Sequence, residues 1–155
     1  MNMKSVIALV LIICSGAALA QPSAEFGPPD VERRMQEYVR TWEGSKEAFA
    51  LAINTYYAER VNYYGKFLTR AQVLADKLRF LKAYPQRTYD IASGTLRTNC
   101  NGGICQARAE LHWSRTSSSG RRESGASDLR LILSARDGGK ITRESARTLR
   151  TLREN

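Results

Sequence analysis

Between Thr55 and Tyr89 the chain reads TYYAERVNYYGKFLTRAQVLADKLRFLKAYPQRTY, and its periodicity changes twice within that stretch. An aromatic, half-apolar strand, Arg60 to Gly65, is wedged between the end of one amphipathic helix and the start of another. The second helix is marked at both ends. Thr69 followed three residues later by Gln72 forms a capping box, in which hydroxyl and amide reciprocally satisfy orphan N–H groups, and Pro85 stops the far end. A chain so punctuated must lay a short strand against two helices, which excludes a pure bundle and a pure sandwich.

The flanking segments extend this pattern. Asp30 is the expected cap of a helix whose apolar residues Val31, Met35, Tyr38, Val39 and Trp42 share one face. Gly44 ends it. Ser45 opens the next, striped by Phe49, Ala52, Ile53 and Tyr56. In the third helix Leu74, Leu78 and Leu81 are expected inward, with Lys77, Arg79 and Lys82 outward. Beyond Pro85 the period falls to two: Tyr89 and Ile91 point one way, Gly94 marks a bulge, and the strand continues to Cys100. Its partner places Cys105, Ala107, Ala109, Leu111 and Trp113 on one face and Gln106, Arg108, Glu110 and His112 on the other. Thr116 to Ser127 reads as a flexible connection. Leu129, Leu131 and Leu133 alternate inward, Asp137-Gly138-Gly139 turns the chain, and Ile141 to Leu149 forms the last strand with Arg143 and Arg147 exposed. Helices followed by a run of strands define an α+β fold, with three N-terminal helices packed on a curved antiparallel sheet. The expected organisation is a signal peptide over residues 1–20, a flexible segment over 21–29, one domain over 30–150 and a frayed tail over 151–155.

Residues 1–20 carry one basic residue, Lys4, an apolar run from Val6 to Ile13 and a small-residue end at Ala18-Leu19-Ala20, the pattern of a cleaved secretory signal. The apolar run is shorter than the roughly 20 residues a bilayer requires. Cleavage near Ala20 implies a periplasmic or secreted protein. It removes Cys14 and a single charge, so nearly all of the net +9 stays with the mature chain, concentrated in its C-terminal half. Attraction to anionic surfaces follows. Specific nucleic-acid binding does not, because no recognition helix or stacking platform accompanies the charge. The remaining cysteines, Cys100 and Cys105, flank Asn101-Gly102-Gly103, whose glycines suit a tight hairpin. In an oxidising compartment the pair is expected to form a disulfide. The spacing suits neither a redox motif nor a metal site, and no metal or cofactor is expected.

The aromatic YY before and YYG after the short strand, with Lys77, Lys82, Tyr84, Pro85, Arg87 and Tyr89 at the end of the third helix, resembles the nuclear transport factor 2-like superfamily. That group includes SnoaL-like and ketosteroid-isomerase-like proteins; more narrowly the motif resembles exported bacterial members with a YYGK strand. The resemblance, spanning about Val31 to Leu149, implies a cone-shaped fold with an internal pocket. Catalytic relatives often keep an aspartate on the short strand, where this chain has Asn62, and an amide cannot accept a proton near neutral pH. The first expectation is therefore a non-catalytic exported domain that binds a small apolar molecule or an envelope protein. The alternative is a pocket lyase, isomerase or hydrolase with His112 or Glu110 as base. A tyrosine, Tyr56 or Tyr64, would be its donor. A scaffold role in an envelope assembly is a third possibility. Tyr56, Tyr64 and Trp113 are the candidate ligand-pocket residues. Asp76 reads as a surface or helix–helix polar contact, not as a base. Arginine repulsion across Arg108, Arg130 and Arg143 would oppose pairing through the sheet, leaving monomer and homodimer both open.

Overall fold

The computed structural model describes residues 26–154; the expected signal peptide, Cys14 and most of the expected flexible segment lie outside the described residues. Helix α1 (Pro28–Thr41) starts earlier than the sequence suggests. Gly27 is its N-cap, Pro28 and Pro29 occupy the first turn, and Asp30 sits inside the helix, where its carboxylate accepts the Gly27 N–H at 3.1 Å. Proline is pre-shaped for that first turn, where its missing N–H costs nothing. Helix α2 (Lys46–Tyr56) is capped by Ser45, which accepts the Ala48 N–H at 3.2 Å. Helix α3 (Arg70–Ala83) has the anticipated box: the Gln72 N–H donates to Thr69 Oγ1 at 3.3 Å and the Thr69 N–H to Gln72 Oε1 at 2.9 Å.

Seven strands make one sheet, more than the sequence suggested. They are β1 (Tyr57–Tyr63), β2 (Lys66–Thr69), β3 (Gln86–Ile91), β4 (Arg97–Asn101), β5 (Ile104–Thr116), β6 (Arg122–Ser134) and β7 (Lys140–Glu154), in the order β2-β1-β7-β6-β5-β3, with β4 also on β5. Every ladder is antiparallel except β1 on β7. Strand β2 was not foreseen; it hairpins onto β1 through Tyr64 and Gly65, at φ of 50° and 82°. Asn62 closes this turn, its side-chain oxygen accepting the Gly65 N–H at 3.1 Å. Gly94 proves not to be a bulge. At φ 70° it turns the chain between β3 and β4, which pair with successive parts of β5. The serine- and glycine-rich residues after Gly120 are already strand, paired on both sides, so the flexible connection is much shorter than expected. Strand β7 likewise runs on through the supposed tail, because Arg122 to Ala126 offer it a partner.

The core lies between the helices and the concave face of the sheet, built from Val31, Met35, Phe49 and Ile53 against Ala107, Leu131, Leu133 and Ile141. Arg87 fixes the α1–α2 corner, donating to the Trp42 carbonyl at 2.5 Å and to the Gly44 carbonyl at 2.9 Å. Cys100 and Cys105 face each other across the β4–β5 ladder and are joined, with Gly102 and Gly103 supplying the positive φ of the turn. Closing so short a loop stabilises by about 2 kcal/mol. Replacing both cysteines by alanine should lower the free energy of urea unfolding by about that amount, read as a fall in the midpoint. An unchanged midpoint would show that the ladder alone holds the hairpin.

Candidate functional site

Two bulges on β7 shape the wide end of the cone. Leu133 pairs with Ile141 but Ile132 with Arg143, so Thr142 is an extra residue and the phase of the strand flips. Ile141 and Glu144 then both face inward, with Arg143 outward, as the fully buried Ile141 and Glu144 require. A second irregularity leaves out Leu149, after which Thr151 turns inward beside Thr148 and Ala146. These residues form one wall of a cavity of about 270 Å³. Leu111, Trp113, Ser127 and Leu129 form the second wall, and Trp42, Asp76, Lys77 and Phe80 the helical one. Tyr63, Tyr64, Tyr89 and Arg115 complete the lining. Gly125, opposite Trp113 in the ladder, has no room for a side chain: a Cβ would lie 2.6 Å from the indole ring. The absent side chain lets Trp113 lie flat, and its N–H donates to Ser127 Oγ at 3.0 Å.

At the floor stands a charged cluster that the sequence did not reveal. Lys77, expected outward, is 1% exposed and Glu144 0%. The inward stripe of α3 is Val73, Lys77 and Leu81; Leu81 is inward as expected, while Leu74 and Leu78 are only partly buried. Lys77 Nζ donates to Glu144 Oε1 and to the Tyr38 hydroxyl, both at 2.8 Å. Tyr38 donates to Glu144 Oε2 at 2.8 Å, the Tyr57 hydroxyl bonds the same oxygen, and the two phenols are 2.7 Å apart. Burial pushes the Lys77 ammonium down, against the pull of the Glu144 charge; burial and then that charge push the Tyr38 and Tyr57 phenols well up. Lys77 Nζ also sits 4.0 Å from the Trp42 ring centroid and 5.1 Å from that of Tyr63. Nearer the mouth, Tyr63 donates to Asp76 at 3.0 Å, making Asp76 a cavity residue as well as an ion-pair partner of Arg79. Arg115 lies over Tyr84 at 4.2 Å and Trp113 at 4.7 Å, anchored by Glu123. The Arg115 hydrogen bond holds the Glu123 carboxyl below its ordinary value. The Trp42 indole N–H is buried with no acceptor among the described residues.

The residues singled out from the sequence separate into two groups. Trp113 and Tyr64 line the cavity, Tyr64 half-exposed at its mouth. Tyr56 does not: at the last turn of α2 it faces α1, where Arg34 stacks on it at 5.1 Å and Glu37 accepts its hydroxyl at 3.4 Å. His112 and Glu110 do meet, at 3.0 Å, but on the convex face of the sheet, where the His112 side chain is 51% exposed. The alternation of β5 puts them there, and no tyrosine hydroxyl bonds either among the described residues, so this pair has no access to a molecule in the cone. Asn62, beside the inward Val61 and Tyr63, also faces away. On the same convex face Arg108 and Arg130 sit opposite each other, yet both bind Asp128, at 2.6 and 2.9 Å. Burial raises that carboxyl, the two guanidinium hydrogen bonds outweigh it, and the net shift is downward. The expected arginine repulsion is thus largely internalised. No group of side chains suited to hold a metal ion occurs among the described residues.

This mixed sheet, curved around three helices and open at one end, has the cone fold seen in nuclear transport factor 2-like proteins. Solved structures agree. A provisionally assigned scytalone dehydratase from Novosphingobium aromaticivorans superposes with a TM-score of 0.65 at 14% identity, over 81% of this chain and 85% of that one. A nuclear transport factor 2-like superfamily protein from Salmonella enterica gives 0.62 at 11% identity, over 77% and 92%. A provisionally assigned polyketide cyclase from Acidithiobacillus ferrooxidans gives 0.56 at 17% identity, over 77% and 88%. No protein-family description matches the sequence, and neither does any curated protein.

Proposed function

We propose that this protein is an exported binding domain that takes one small, flat, mostly apolar molecule into its cone. The observation that carries this reading is the aromatic-walled cavity of about 270 Å³ with the buried Lys77 and Glu144 at its floor. Sites for drug-sized ligands run from about 300 to 1,000 Å³, so this one suits a molecule of one or two rings. The rings of Trp42, Tyr63, Tyr89 and Trp113 supply the flat contact. An unpaired buried donor is costly, and a ligand oxygen would relieve the Trp42 N–H. Both oxygens of Glu144 at the floor already accept from Lys77 and Tyr38, which favours holding a bound molecule over abstracting a proton from it. Export is supported by the leader pattern and by a disulfide suited to an oxidising compartment. The mass of the protein recovered from its native host would expose an uncleaved leader.

A second reading, a pocket enzyme, is favoured by the Tyr63–Asp76 contact at the mouth, a phenol and a carboxylate within reach of a bound molecule. Some fold neighbours are described as a dehydratase and a cyclase, which keeps it in view. One experiment serves both. Both tryptophans of the chain, Trp42 and Trp113, line the cavity, so emission should report occupancy directly. Titration with one- and two-ring phenols, ketones and acids is expected to change it, and Ala146→Phe, which fills the cavity, to weaken the change by about tenfold or more. If no compound binds below millimolar concentration, or the variant binds equally well, the binding reading fails. Product formation in the same mixtures would decide for the enzyme.

A further inference from the structure

We propose that Lys77 is a reactive amine that condenses with the carbonyl group of an aromatic aldehyde or ketone in the cone, holding it as a Schiff base. This rests on the reading of the cavity as a site for a flat apolar molecule, and it adds a chemical class and a covalent anchor. Lys77 lines the cavity yet is 1% exposed overall, so what reaches its amine comes through the cone. An ammonium has three donors. Two are used, by Glu144 and Tyr38, and the third has no oxygen or nitrogen acceptor among the described residues. Four aromatic rings, of Tyr38, Trp42, Tyr57 and Tyr63, have centroids within 5.7 Å of Nζ. This enclosure pushes the amine down by desolvation, which outweighs the pull of Glu144; the ring faces, which attract a cation, are not the cause. It also offers a face for the ring of a carbonyl compound beside the nitrogen. A lysine desolvated in an apolar pocket is one of the established ways of making an amine nucleophile.

The neighbours suit each step. A proton passes from Nζ to Glu144 Oε1, 2.8 Å away, leaving a lone pair on nitrogen. That pair bonds the carbonyl carbon while the C–O π electrons move to oxygen, which takes up a proton. The resulting carbinolamine expels its hydroxyl with a second proton as water, and nitrogen completes the C=N bond. In sum, one ammonium and one carbonyl give one iminium and one water, with no change of oxidation state. The iminium keeps the single positive charge of the ammonium beside the Glu144 carboxylate. The buried charge balance is therefore the same before and after, and the one N–H left on the iminium keeps its bond to Glu144 while that to Tyr38 is given up.

Reductive trapping tests this. The protein is incubated with benzaldehyde and sodium cyanoborohydride at neutral pH, and the benzylated lysines are located by peptide mass spectrometry. Positioning beside the ring-binding walls should make Lys77 react at least about tenfold faster than Lys46, Lys66, Lys82 or Lys140. Ala146→Phe should abolish that preference, and Lys77→Arg should remove the label while retaining a cation for Glu144. Labelling of Lys77 at the surface rate, or labelling that survives Ala146→Phe, overturns the proposal, and the second variant serves even if Lys77→Arg fails to fold. Tryptophan emission is followed in the same samples. Benzaldehyde that alters emission without a Lys77 adduct defeats the Schiff base and spares the binding reading; no change in emission and no adduct defeats both.

Discussion

Glu144→Leu should destabilise the fold by about 3–5 kcal/mol, the usual result of deleting one partner of a buried ion pair. On a domain of this size such a loss lowers Tm on the order of 10 °C or more. The mechanism is specific. Removing the carboxylate strands Lys77, buried and pushed towards neutrality, and also takes the acceptor from Tyr38 and Tyr57. The diagnostic is the double substitution Glu144→Leu with Lys77→Met. Replacing both charges with apolar side chains removes the uncompensated ion, and stability should recover most of what the single change lost. Denaturant unfolding of the four species closes the cycle. If the double variant is as unstable as the sum of the single ones, the ion pair is not the source of the effect.

The second large effect is expected in alkali. Tyr38 and Tyr57 are fully buried, and burial first, then the Glu144 charge, pushes both phenols well above their ordinary value. Tyr89 moves the same way, to about 12, chiefly through burial. An unfolded tyrosine ionises near pH 10. Below that pH both states hold the proton and these groups do not affect stability. Above it the unfolded chain releases protons that the folded chain retains, so stability falls as pH rises. Each phenol costs about 1.4 kcal/mol per pH unit, so Tyr38 and Tyr57 together remove about 3 kcal/mol by pH 11 and roughly twice that by pH 12. That is comparable with the entire stability of an ordinary domain. Tyrosinate absorbance should therefore rise in a cooperative step coincident with loss of near-ultraviolet dichroism between about pH 11 and 12. A smooth titration of all seven tyrosines with the fold intact would contradict the buried phenol cluster.

Much of this architecture could be read from short-range signals. The Thr69/Gln72 box, the alternation from Cys105 to Trp113 and the Gly102-Gly103 turn each depend on residues a few positions apart, and each appears as expected. The floor of the cavity depends on distant ones. Lys77 is a polar residue on a helix with leucines on an adjacent stripe, so helical spacing alone sends it outward. Its burial is made possible by a carboxylate 67 residues away. Glu144 was missed for a related reason. Its inward orientation follows from the extra residue Thr142 in the ladder, and nothing in the residues Ile141 to Glu144 announces a bulge. Gly94 shows the converse: a glycine amid alternating residues signals a break, but not whether the break is a bulge or a turn. The His112–Glu110 pair was correctly seen as neighbours and lies on the wrong side of the sheet for the cone.

The one parallel ladder has a bearing on biosynthesis. Strand β1 emerges early from the ribosome, but apart from its short hairpin partner its neighbour is β7, made last among the described elements. Until then one side of β1 stays unpaired and Lys77 lacks the Glu144 counter-charge that accompanies it into the interior. The sheet consequently cannot close around the cone until β7 has been made, so the two ends of the domain are committed together.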